Sequence, residues 1–147
     1  MSATTQITTR TTPSEPTPAA ERQPVWKYGV ASAVVASVAT TVLAAIASAA
    51  GVSFADSKGA SIPIAGFTQL TLIFSLVGVG MAAVMARKAR RPRPTFVRTA
   101  LALTALSYVP DLTFGFDARS AATLITLHTV AAAIMVPTLA GRLTRTR

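Results

Sequence analysis

Long apolar runs separated by short polar breaks set the pattern of this chain. Tyr28 to Ala50 is 23 residues without a charged side chain, and Ile62 to Ala86 is another 25. Ser120 to Ala140 is a further 21, in which His128 is the one titratable group. About 20 apolar residues in helical form cross the ~30 Å hydrocarbon core of a bilayer, so each run predicts a spanning helix. A fourth run, Thr99 to Phe116, is 18 residues long and is interrupted by Pro110 and Asp111. At about 1.5 Å per residue it reaches about 27 Å. It is read as a span, because otherwise Arg98 and Ser120 would lie on one side and break the charge pattern. The expected spans are about 28–50, 62–86, 97–114 and 120–140.

The breaks between runs carry the charge. ARKARRPRPTFVR, from Ala86, holds Arg87, Lys88, Arg90, Arg91, Arg93 and Arg98. Lys and Arg collect in the cytoplasmic loops of membrane proteins. With the N-terminus inside and four spans, 12 of the 14 basic residues fall inside, and only Lys58 and Arg119 fall outside. Both termini are therefore expected in the cytoplasm, and the plasma membrane is the expected location. The six cations of the basic break are read as a topology signal that also touches anionic lipid headgroups. The high pI of 11.6 follows from the same segments and is no argument for nucleic acid. No basic helix with interleaved aromatics is present to read a groove, so no nucleic-acid partner is expected.

The first 24 residues, rich in Thr and Pro with almost no apolar content, predict a disordered cytoplasmic tail. Residues 25–143 form the expected membrane domain, and 144–147 a short basic tail. Trp26, Lys27 and Tyr28 make an interfacial anchor at the mouth of the first span. Ala47-Ser48-Ala49 resembles a signal-peptide cleavage pattern, but the run before it exceeds the length of such a leader's apolar core. Residues 51–61 form a short exterior connection, Pro63 opens the second span, and Pro92 and Pro94 keep the second helix from running into the third. The break after Phe116 is so short that the third and fourth spans are antiparallel neighbours. Ala33, Ser37, Thr40, Ala44, Ala47 and Gly51 recur at helical spacing in the first run, and Gly78 and Ala82 form a small pair in the second. Small residues let helices approach closely in lipid. The fold class is all-α, a membrane four-helix bundle with both termini inside.

Three segments, GFTQLTLIFSLVGVGMAA from Gly66, RPTFVRTALALTALSYVPDL from Arg93 and LHTVAAAIMVPTLAGRL from Leu127, carry a resemblance. With VWKYGVASAVVASVATT from Val25 they resemble a family of small actinobacterial four-helix membrane proteins of unknown function. The resemblance covers about Val25 to Leu143 and implies residence in the plasma membrane. It assigns no activity and no catalytic residue.

Candidate chemistry is sparse. Ionisable groups inside a membrane are costly and by default mark function. Here they are Asp111 and His128, with Gln69 as a further polar group. At about 1.5 Å per residue, Asp111 and His128 each lie about 12 Å, and Gln69 about 10 Å, from the outer boundary. Thr104, Ser107 and Asp111 share one helical face, and Pro110 frees the carbonyl of Leu106. These five residues, Gln69, Thr104, Ser107, Asp111 and His128, form the candidate intramembrane polar site. The simpler reading is that Asp111 caps a short third helix at the headgroups and His128 fixes packing. The chain has no cysteine and no HExxH, GxSxG, CxxC or P-loop motif, so no enzyme, metal or cofactor is expected.

Three function classes follow. The first is a membrane protein without catalytic motif that acts by helix packing with itself or a membrane partner. The second is a small proton-linked transporter built on Asp111 and His128. The third is a membrane enzyme for a lipid-like substrate. A buried, paired Asp111 favours the second, and a wet Asp111 at the helix end favours the first.

Overall fold

The computed structural model describes residues 25–143, and the expected N- and C-terminal tails lie outside the described residues. Four helices follow in order: α1 Val25–Ala49, α2 Ile64–Lys88, α3 Pro92–Thr113 and α4 Ala118–Leu143. They are Ala- and Leu-rich runs whose interruptions supply their ends. Pro63 stands in extended conformation before α2. Ala89 leaves the helix after Lys88, and its N–H still donates to the Met85 carbonyl. Pro92 and Pro94 occupy the first turn of α3, where a missing N–H breaks no internal bond. They end one helix by beginning the next, so α3 starts five residues earlier than the expected 97. The Phe114 N–H closes α3 on the Pro110 carbonyl, and Gly115 then turns left-handed at φ 75°. A side chain at Gly115 would also meet Ser57 Cβ at 2.7 Å, so this turn packs under the first loop.

The chain runs up, down, up, down. Arg142 near the end of α4 lies 3.5 Å over the ring of Tyr28 near the start of α1. At the opposite end the first loop meets the start of α4, where the Phe54 N–H donates to Ser120 Oγ at 3.2 Å. α1 packs against α2 and α4, α3 packs chiefly against α4, and the backbones of α1 and α3 do not approach closely. They lie across the diagonal of the bundle.

The helices are held by two apolar clusters. One, toward the basic end, joins Ala33, Ala36, Val79, Ala82, Phe96 and Leu139. The other, under the first loop, joins Ala44, Phe54, Phe67, Leu124 and Leu127. Between them α1 and α2 meet through hydroxyls. Thr40 Oγ1 donates to Thr71 Oγ1 at 3.1 Å, and the Thr41 and Thr68 hydroxyls stand 2.6 Å apart. The stripe of small residues on α1 faces inward as expected at Ala33, Ser37, Thr40 and Ala44, and Gly51 at its end is exposed. On α2 the seam runs through Ser75, Val79 and Ala82 instead of Gly78. A side chain at Gly78 would meet nothing, whereas one at Gly29 would stand 2.6 Å from Val79 Cγ2. Gly29 is the residue that brings α1 onto α2.

α1, α2 and α4 are long and apolar enough to cross a membrane, and α3, with Arg93, Arg98 and Asp111, is not among them. α1, α2 and α3 present bulky side chains outward, among them Val34, Val38, Phe74, Val77, Leu106 and Leu112. The outer surface of these three helices is thus largely apolar.

Candidate functional site

Asp111 sits in the last turn of α3, two residues before its end, and is only 5% exposed. It is thus buried within the bundle although it stands at the helix end. Its face of α3 turns toward α4, as the spacing from Thr104 and Ser107 implied. Opposite stands His128, one turn below Leu124. His128 Nδ1 lies 3.0 Å from Asp111 Oδ2, with side-chain exposures of 40% for the histidine and 7% for the aspartate. The same nitrogen lies 3.0 Å from the Leu124 carbonyl. Oδ2 takes no directed hydrogen bond even so. Nδ1 is directed at the Leu124 carbonyl, and the carboxylate lies beside that axis at contact distance. Two facts thus describe one contact, a close pair by distance and an unsaturated acceptor by direction.

The rest of the candidate set divides. Thr104 Oγ1 donates to the Ala100 carbonyl at 2.9 Å and Ser107 Oγ to the Thr104 carbonyl at 2.7 Å. Both hydroxyls are thus consumed within α3, and they line the face of Asp111 without bonding to it. Gln69 does not join the site. It faces outward from α2 beside Leu70 and Ile73, on the side away from Phe67 and Thr71. Three groups that the sequence reading did not select belong here. Tyr108 and Thr129 pair their hydroxyls at 2.9 Å across α3 and α4. The Tyr108 ring meets the His128 ring edge to face, with centroids 6.5 Å apart. Leu124 supplies the carbonyl. The available signal was spacing, since Tyr108 stands three residues before Asp111 and Thr129 follows His128.

The site lies close under the first loop. Leu124 and Leu127, flanking His128, pack with Phe54 and Phe67, whose rings meet at 4.9 Å. Phe54 is held at φ 51° with its side chain 1% exposed. A left-handed non-glycine residue costs about 1–3 kcal/mol and persists where its surroundings fix it. Here the buried ring and the bond to Ser120 fix it. Ser120 Oγ donates in turn to Asp117 Oδ2 at 2.7 Å, while Asp117 Oδ1 accepts the N–H groups of Arg119 and Ser120. Asp117 therefore caps α4 and anchors the loop together. The Ser120 hydroxyl first, then these backbone N–H groups and Ser53, hold the Asp117 carboxyl below its ordinary value.

The six cations of the basic break, Arg87, Lys88, Arg90, Arg91, Arg93 and Arg98, are all exposed at the opposite end. Lys27 and Arg142 stand with them, and no acidic side chain does among the described residues. No group of three or more potential metal-ligating side chains is found among the described residues.

The chain belongs to DUF6069, a family of unknown function, whose pattern matches residues 20–145. No curated protein matches it, and no solved structure does.

Proposed function

We propose that this is a four-span plasma-membrane protein with cytoplasmic termini that carries protons through Asp111 and His128, as part of a small transporter, not a catalyst. The observation that carries the reading is the buried Asp111 facing a half-exposed histidine between two helices. An imidazole beside an intramembrane carboxylate is a group suited to taking up and releasing a proton. α3 counts as the fourth span because it joins the end of α2 at the basic end to the start of α4 under the first loop. If α2 and α4 cross, α3 runs the same thickness. The orientation rests on the basic end, which faces the cytoplasm by the positive-inside rule. The resemblance of the helical segments supports an actinobacterial cell as its setting.

The test is proton flux into proteoliposomes with a trapped pH-sensitive dye and an imposed gradient. The wild-type chain is expected to exceed empty vesicles, Asp111→Asn and His128→Ala to lose at least about tenfold of that excess, and Gln69→Leu to keep it. A wild-type flux equal to empty vesicles overturns the reading.

The helix-packing reading keeps one supporting observation. α4 turns only small residues and one arginine outward along its length, through Ala122, Thr126, Thr129, Ala133, Pro137 and Gly141, where the other helices show bulky ones. Close approach of a second copy along this face is the expected use, because packing drives association in lipid. Ala133→Cys is expected to cross-link to its counterpart in membranes and Val34→Cys not. Equal yields would remove this reading.

A further inference from the structure

The directions around the His128 ring fix more than its pairing. Nδ1 faces two acceptors at 3.0 Å, the Leu124 carbonyl and Asp111 Oδ2. A ring nitrogen carrying a lone pair would be repelled by both oxygens, whereas one carrying a proton is attracted by both. The other ring nitrogen, Nε2, makes no hydrogen bond to the described residues. Asp111 Oδ2 is the only buried side-chain nitrogen or oxygen without a hydrogen bond among them, so Nε2 is not buried. The exposed 40% of the side chain therefore includes the ring edge turned away from Asp111.

We propose that His128 holds a fixed proton on Nδ1, shared between the Leu124 carbonyl and Asp111, and presents Nε2 as the base that takes a proton from a donor outside the pair. The ligand class of the site is thus a proton donor, hydronium or a hydrogen-bonded hydroxyl or ammonium, approaching the ring between α3 and α4. In the step, the Nε2 lone pair forms the new N–H bond and the donor keeps the electrons of the bond it loses. The pair passes from net charge −1 to neutral, which lowers its cost in a low-dielectric surrounding. Asp111 and Leu124 are positioning residues here: they orient the ring and set its tautomer, as a second partner on a ring nitrogen does elsewhere. The titratable groups facing the ring are Asp111 and Tyr108, both from α3. α1 and α2 bring none, since their ionisable residues Lys27, Tyr28, Arg87 and Lys88 stand at the far end of the bundle.

This deepens the proton-carrying reading and rests on it for its use, but its test is separate. The chain has a single histidine. Full-length protein labelled with ¹⁵N histidine in lipid bilayers gives two ring-nitrogen signals with no assignment problem. Above the titration, the expected spectrum shows Nδ1 protonated and Nε2 bare. Acidification is expected to move Nε2 to the protonated position and leave Nδ1 protonated throughout. In Asp111→Ala the neutral ring is expected to gain at least a severalfold larger share of the Nε2–H form. A wild-type spectrum with Nε2 protonated and Nδ1 bare overturns the proposal, because Asp111 would then be the donor to Nδ1. An even mixture of tautomers overturns it as well. A fixed Nδ1–H together with absent proton flux would sink the transporter and leave this assignment standing.

Discussion

Removing His128 leaves the buried Asp111 carboxylate without the ring that stands 3.0 Å from it. Leaving a buried polar group without its partner costs about 1–3 kcal/mol, more for a charged one, and the half-exposed ring limits the loss. Asp111→Asn is milder, because the amide carries no charge into a low-dielectric site. The double substitution is expected to lose clearly less than the sum of the two in thermal unfolding in detergent, because the contact is broken once. Strict additivity would mean that the two groups do not interact. At this scale the sequence was half legible. Counting residues from the ends of the runs brought Asp111 and His128 to one depth, and they meet. The same count put Gln69 at that depth but said nothing of its direction around α2, and it faces outward. Hydroxyls were legible as a face, at Thr104 and Ser107, but not as partners. At these two positions the carbonyl three or four residues back lies within the hydroxyl's reach and takes its bond.

The helices themselves were legible wherever an apolar run ended in charge or proline. α1, α2 and α4 fall within three residues of the expected spans. α3 begins earlier because Pro92 and Pro94 suit a first turn as well as they break a last one. The first loop was not legible. Nothing in the composition of residues 51–61 says that Phe54 is buried or that Ser120 binds its backbone, because both contacts are long-range. That link supports a pH prediction. Asp117 titrates below its ordinary value, so its contribution is complete above the unfolded value and is lost as pH falls through the lower folded one. Thermal stability of the wild-type chain minus that of Asp117→Ala isolates this group from Asp111. The difference is expected to be constant near neutrality and to shrink only in strong acid. A difference that shrinks already above the ordinary carboxylate value would mean that the cap at Asp117 is not formed.

The bundle as a whole is a charge dipole. Lys27, Arg87, Lys88, Arg90, Arg91, Arg93, Arg98 and Arg142 crowd one end with no described acidic side chain beside them, while Asp56, Lys58, Asp117 and Arg119 balance at the other. Moving the basic end across a bilayer would carry every one of these charges through hydrocarbon, at about 2.5–3.5 kcal/mol per residue on an insertion scale. The expected orientation, basic end inside, needs no knowledge of activity to test. The chain has no cysteine, so single introduced thiols report cleanly. Ser120 is unsuitable as a reporter position because it is fully buried against Phe54. Ala60, exposed in the first loop, and Ala89, between α2 and α3, are suitable positions. On intact cells Ala60→Cys is expected to react with a membrane-impermeant maleimide and Ala89→Cys to stay unlabelled until the membrane is opened. Replacing Arg90, Arg91 and Arg93 together with Gln is expected to raise labelling at Ala89→Cys, because the inward bias weakens. Labelling of Ala89→Cys on intact cells without that replacement, with Ala60→Cys protected, would invert the bundle. The site would then lie close to the cytoplasmic face, and the direction of proton entry would reverse with it.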